Sequence, residues 1–148
     1  MLANLQLLVV DRSAALADTL RSLAVDLDID MVQCASMSDA FAKVARLQPH
    51  VAVIDADLCD LGGVGVVRAV RVLAPACEVI LTSVDPTSDA GLEAIRAGAL
   101  ECMTKAASIT RLRTLLVRSC TGMQRTEQLL REFEIALGLD ANEASLSR

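Results

Sequence analysis

Two spacings of apolar residues alternate along the chain. Leu5-Gln6-Leu7-Leu8-Val9-Val10 is a short apolar run halted by Asp11, and it predicts a buried strand. From Ser13 to Val25 the apolar residues Leu16, Leu20, Leu23 and Ala24 recur at helical spacing, with Ser13 placed as an N-cap. Asp30 to Ala35 predicts a second, weaker strand, and Ser38 to Leu47 a helix stopped by Pro49. Val51 to Ile54 predicts a third strand, which runs into an acidic, glycine-rich loop from Asp55 to Gly63. A helix follows over Val64 to Leu73, then a strand over Glu78 to Thr82 and a helix over Ser88 to Ala97 closed by Gly98. The fifth strand is Leu100 to Thr104, and a last helix starts at Ile109.

Five short strands alternating with five helices predict a doubly wound α/β fold, a five-stranded parallel sheet covered on both faces. Uninterrupted apolar runs are what strands buried on both sides require. In such sheets ligands bind at the carboxyl ends of the strands, near the point where strand order reverses.

Composition narrows the classes. With 148 residues, 53% of them hydrophobic, the chain can bury one core. A net charge of −5 argues against a domain-wide basic surface, so direct nucleic-acid binding is not expected. The longest uncharged stretch, Met1 to Val10, is far shorter than the roughly 18 apolar residues a membrane helix needs, and no secretion signal opens the chain. A cytoplasmic location is the expectation. Cys34, Cys59, Cys77, Cys102 and Cys120 are widely spaced and odd in number, which suits reduced core fillers better than disulfides or zinc ligands. His50 is the single histidine, at a loop-to-strand junction where a solvated ring is expected.

Carboxylates, a hydroxyl and a lysine stand at the predicted strand ends: Asp11 after the first, Asp55 and Asp57 after the third, Thr82-Ser83 after the fourth and Lys105 after the fifth. Carboxylates suit Mg²⁺, while an ammonium and a hydroxyl suit phosphoryl oxygens. With no histidine or cysteine at hand, a carboxylate is the natural nucleophile, giving an acyl phosphate. A single aspartate after a strand often only caps a helix; five such residues at matching ends point to a site.

Leu7-Leu8-Val9-Val10-Asp11, Val51-Ala52-Val53-Ile54-Asp55, Ile80-Leu81-Thr82-Ser83 and Ala94-Ile95-Arg96-Ala97-Gly98-Ala99, with Lys105, resemble the receiver domains of two-component response regulators over roughly residues 5 to 119. The resemblance implies a flavodoxin-like fold and phosphorylation of Asp55 by a histidine kinase or phosphotransfer protein with Mg²⁺. It places Thr82 and Lys105 at the phosphate-contacting positions and Asp11, Asp55 and Asp57 around the metal. Gly63 matches the glycine of the following loop.

Four departures from the family pattern stand out. Arg12 holds the second acidic position after the first strand, and a guanidinium offers no lone pair to a cation. Either Arg12 stands in for the metal and holds the site shut, or it swings into solvent and the Asp57 side chain supplies the missing carboxylate. Cys102 replaces the usual aromatic on the fifth strand, Ala106 the proline after the lysine, and Cys59 and Gly62 the loop proline and acid.

The last helical pattern continues far past Cys120, interrupted by Gly122. Its 3–4 spacing reads Ile109, Leu112, Leu116, Ser119, Met123, Thr126, Leu130, Phe133 and Leu137. Packing on the sheet accounts for the first part only. Met123, Leu130, Phe133 and Leu137 are therefore candidate homodimer contacts, with parallel pairing of two helices the first expectation and folding back on the domain the second. The stripe Arg111, Arg118 and Arg125 reads as a solvated flank of that helix. The predicted organisation is a receiver domain over 1–120, a dimerising extension over 121–138 and a flexible tail over 139–148. Function is expected to be regulatory rather than enzymatic: a phosphorylated signal relay, or alternatively a phosphorylation-independent pseudo-receiver serving as an interaction module. A Mg²⁺-dependent phosphohydrolase using Asp55 is disfavoured, because Asp55-Ala56-Asp57 comes without a cap domain.

Overall fold

A computed structural model describes residues 4–83, 89–105 and 109–138. The strands are β1 (Gln6–Val10), β2 (Asp30–Cys34), β3 (Val51–Asp55), β4 (Glu78–Ser83) and β5 (Glu101–Thr104). They pair in the order β2-β1-β3-β4-β5, all parallel. Between them run α1 (Ala14–Asp26), α2 (Met37–Leu47), α3 (Gly62–Leu73), α4 (Asp89–Ala97) and α5 (Ile109–Ala136). Strand order reverses at β1, which has β2 on one side and β3 on the other.

Alternate residues of each strand feed two cores. Leu8, Val10, Ala52, Ile54, Val79 and Leu81 pack under α2, α3 and α4 through Val44, Val66, Val70 and Ala94. Leu7, Val9, Val51, Val53 and Ile80 face the other way, against Leu20 and Leu23 of α1 and Leu112, Leu115 and Leu116 of α5. Burying one such side chain contributes about 1.5–3 kcal/mol, so the sheet is fixed from both faces.

Helix starts differ from the sequence expectation in physically informative ways. Ser13 sits at the α1 N-cap but its hydroxyl makes no cap bond; instead its own amide donates to Asp11 Oδ1 at 2.7 Å. Helix α2 begins at Met37 rather than Ser38, capped by Ser36, whose side chain accepts from the Asp39 amide at 3.3 Å. Helix α3 begins at Gly62 rather than Val64, because Gly62 takes φ +70° and lets the chain turn into the helix directly. A 3₁₀ turn over Ala56–Leu58, absent from the sequence reading, leads out of β3. Ser88 and Ala106 lie outside the described residues, as does the expected tail over 139–148.

Helix α5 is continuous to Ala136, so it does not fold back on its domain. Gly122 lies inside it, and a Cβ built there meets nothing within 4 Å. Gly122→Ala is expected to raise stability by about 1 kcal/mol, through helix propensity alone, as an upward shift of the thermal or urea midpoint.

Candidate functional site

Sheet register assembles the site. Val10 lies opposite Ile54 across β1 and β3, so Asp11 and Asp55 leave neighbouring strands together. Asp55 lies opposite Thr82 across β3 and β4, and Ser83 opposite Thr104 across β4 and β5, which delivers Lys105 one residue later. The Lys105 amide donates to the Ser83 carbonyl at 3.2 Å, extending that pairing past the end of β5. Asp11, Asp55 and Thr82 are all buried, the only polar residues so enclosed among the described residues.

Each buried aspartate divides its oxygens between two tasks. Oδ1 of Asp11 accepts from the Ser13 amide, and Oδ1 of Asp55 accepts from the Asp57 amide at 2.9 Å, the same two-residue loop in both cases. The remaining oxygens face the site. Asp55 Oδ2 lies 2.8 Å from Lys105 Nζ, and Asp57 Oδ2 lies 3.5 Å from the same ammonium. Asp11 Oδ2 and Thr82 Oγ1 are closed off from solvent without a hydrogen-bond partner. An orphaned buried polar atom costs about 1–3 kcal/mol, so stability is forgone at these two atoms.

The hydrogen bond to Asp55 holds the Lys105 amine above its usual value, with the charges of Asp55, Asp57 and Asp11 adding to it and partial desolvation opposing. The Lys105 side chain is 38% exposed, so this is a poised contact rather than a sealed pair. Because the amine is raised in the folded chain, its pairing contribution is complete below the unfolded value of 10.5 and is lost as pH climbs above it.

Arg12 is exposed and forms no ion pair with Asp55 or Asp57, so the geometry does not show an arginine holding the site shut. The cation on those carboxylates is Lys105. Among the described residues no three His, Cys, Asp or Glu side chains gather as a metal-holding group. Asp11, Asp55 and Asp57 thus share one end of the sheet without forming a closed triad, the ammonium standing on two of them.

Cys102, in the aromatic's position, borders a cavity of about 330 Å³ with Asp57, Gly63, Ser83, Leu81 and Ala94. Burial pushes its thiol up, as do Glu101 and Asp57. All five cysteines are free; Cys34 and Cys77 are buried in the core, where burial drives Cys77 to about 12, while Cys59, Cys102 and Cys120 are half-buried. His50 is exposed and remote from the site, its Nδ1 accepting from the Gln6 amide at 2.9 Å. Arg111 pairs with Glu101 and so is not merely a solvated flank.

The fold is the flavodoxin-like class with acids, hydroxyl and lysine at the carboxyl edge of its sheet. The chain belongs to the response regulator receiver domain family, whose model matches residues 7–117. It is similar to the regulatory protein LuxO of Vibrio cholerae, with 30% identity over 104 residues, covering 70% of this chain and 23% of that protein. The chain therefore spans about a quarter of that relative's length. Among solved structures, a signal receiver domain from Vibrio parahaemolyticus superposes with a TM-score of 0.75 at 20% identity, covering 86% of this chain and 98% of the other. The beryllofluoride-activated NtrC4 receiver domain dimer superposes with a TM-score of 0.71 at 22% identity, covering 80% and 98%. No helix among the described residues is long and apolar enough to cross a membrane.

Replacing the orphaned hydroxyl by an isosteric methyl, in Thr82→Val, is expected to raise stability by about 1 kcal/mol in urea denaturation. Lys105→Met is expected to remove the extra loss of stability that the unmodified chain shows above pH 10.5, read as a flatter alkaline limb in thermal melts.

Proposed function

We propose that this receiver domain is a phosphoryl switch with Asp55 as acceptor. The observation that carries the reading is the division of the Asp55 carboxylate: Oδ1 is tied to the Asp57 amide while Oδ2 points at Lys105, beside the unpartnered Thr82 hydroxyl. A nucleophile so oriented needs only an electrophile. The donor is a phosphohistidine of a kinase or phosphotransfer protein. Asp55 Oδ2 attacks phosphorus, the P–N bond breaks with its electrons returning to the imidazole, and an acyl phosphate remains. Lys105 follows the charge onto the phosphoryl oxygens, and Thr82 Oγ1 donates to one of them. The exchange takes place in the cytoplasm, where five free thiols stay reduced.

Mg²⁺ fits the donor set. Asp11 Oδ2 is a buried, unpartnered hard oxygen, and Asp55 and Asp57 lie at the same sheet end. These three would hold the ion, with water completing the shell that Arg12 does not. When bound, it neutralises charge between carboxylate and incoming phosphate. Signal leaves through the long α5: Leu130 and Phe133 on it and Leu137 just past its end are exposed and would supply the homodimer contacts, while Met123 is half-buried on its own domain.

A second reading, a phosphorylation-independent interaction module, draws on two observations. Arg12 replaces an acid, and Lys105 already neutralises Asp55 and Asp57. Intact mass after incubation with acetyl phosphate and Mg²⁺ separates the two. One phosphoryl group is expected on the unmodified chain and none on Asp55→Asn. No gain at saturating donor and metal would overturn the switch in favour of the module. Arg12→Asp, restoring the second acid, is expected to raise the phosphorylation rate and lower the Mg²⁺ concentration it needs.

A further inference from the structure

Where α5 leaves the domain, below the amino-terminal edge of the sheet, a groove of about 630 Å³ opens between helix and sheet. Ser119, Gly122, Met123 and Thr126 form its helical wall, with Leu5 and Leu100 across from them. The next two turns carry the opposite relief: Leu129, Leu130, Phe133 and Leu137 stand 56%, 57%, 62% and 56% exposed. One half of the helix is hollow and the other half is studded.

We infer that the groove receives the end of α5 from a second copy of the chain, laid antiparallel and centred on Gln128. This rests on the reading of α5 as a dimerising helix and sets its direction, against the parallel pairing that the heptad pattern first suggests. In this register each small or flexible seam position meets a bulky one. Ser119 faces the partner's Leu137, Met123 the partner's Phe133, and Thr126 the partner's Leu130. Two-fold symmetry repeats each contact, so both grooves fill at once. A parallel pair would instead stack Ser119 on Ser119 and Thr126 on Thr126, leaving the groove open.

The far half of α5 also carries charges without partners in their own chain. Arg125, Glu127 and Arg131 form no ion pair among the described residues, and Glu127 Oε2 is shielded from solvent without a partner. In the antiparallel register Glu127 lies about 3 Å along the axis from the partner's Arg131, and as far from the partner's Glu127, on one flank, while Arg125 lies about 1.5 Å along the axis from the partner's Glu132 on the other. In the parallel register the seam places Leu129 beside the partner's Glu134 and brings no opposite charges together.

Electron–electron double resonance on the full chain tests the direction. A spin label is placed at Thr114→Cys, on the exposed side of α5 within the domain, with Cys59, Cys102 and Cys120 replaced by serine. Molar mass is measured by light scattering on the same sample. A dimer with labels separated by about 42 Å along the helix axis is the expected result, at a rise of about 1.5 Å per residue. A dimer with labels about 20–25 Å apart, two helix widths, would overturn the antiparallel register and leave dimerisation standing. A monomeric mass for the unmodified chain would overturn both. A second variant, Glu134→Cys, keeps the native cysteines. Treated with a short bismaleimide, it should yield a cross-linked peptide joining the introduced thiol to Cys120. Those two positions lie about 21 Å apart within one chain and in a parallel pair, but meet in the antiparallel one. Absence of that peptide in a dimeric sample overturns the proposal.

Discussion

A parallel sheet has no freedom to slide once both faces are packed, and the chemistry here depends on that constraint. A shift of one residue between β1 and β3 would turn Leu8 and Val10 away from the α2–α4 core and move Asp11 out of line with Asp55. The same holds between β3 and β4, where Asp55 faces Thr82. Four pairings, each defended by apolar side chains on alternate faces, therefore place two acids, a hydroxyl and a lysine at one edge. No loop contact is needed to bring them together. The site is precise because it is built on strand ends rather than on the segments between them.

Burial then makes the site electrostatically tense. Asp11 and Asp55 are enclosed at the ends of adjacent strands, and the cation in contact with the acids is an ammonium on a flexible stem. Asp55 and Asp57 share it; Asp11 does not contact it. Taking carboxylates out of water is costly unless their lone pairs are met. The chain meets three of the four oxygens, using the Ser13 and Asp57 amides and Lys105, and leaves Asp11 Oδ2 and the Thr82 hydroxyl without partners. Amides that orient one oxygen leave the other correctly aimed. Stability is forgone at these atoms where a ligand with charge and oxygens would recover it.

Much of this is legible in the amino-acid sequence because strands buried on both faces leave uninterrupted apolar runs, and the runs in this chain stop at the functional residues. Asp11, Asp55, Thr82 and Lys105 follow from that alone, and the structure brings them to one edge. What the sequence cannot show is how each side chain divides its bonds. Nothing in the order Asp11-Arg12-Ser13 says that the Ser13 amide, rather than its hydroxyl, makes the turn. The available cue is the two-residue loop common to Asp11 and Asp55, since an aspartate after a strand favours such a turn. Charge alone draws Arg12 to the acids in a reading of the sequence. Its exposure shows that a long side chain at a turn remains in water when a nearer lysine already serves those carboxylates. Ser38 and Val64, the expected helix starts, fall one and two residues late for a common reason: apolar periodicity becomes visible only once a helix meets the core, after its first residues.

Helix α5 joins the two ends of the molecule. Its first turns, at Ile109 and Leu112, border the cleft that also holds Asp11 and Lys105, and Leu115 and Met123 border the groove below the sheet. Leu112, Leu115 and Leu116 lock the helix to β1, β3 and β4, so it moves as a rod or not at all. Lys105 lies four residues ahead of the helix. Lys105 thus stands near the start of a helix whose far half carries the exposed apolar side chains. Gly122 comes after the last fully buried contact of α5, in the turn where the helix parts from the domain. That position separates a half whose geometry answers to the sheet from a half whose geometry answers to whatever covers Leu130 and Phe133. Any coupling between Lys105 and that cover would be reciprocal, each biasing the other by the same free energy.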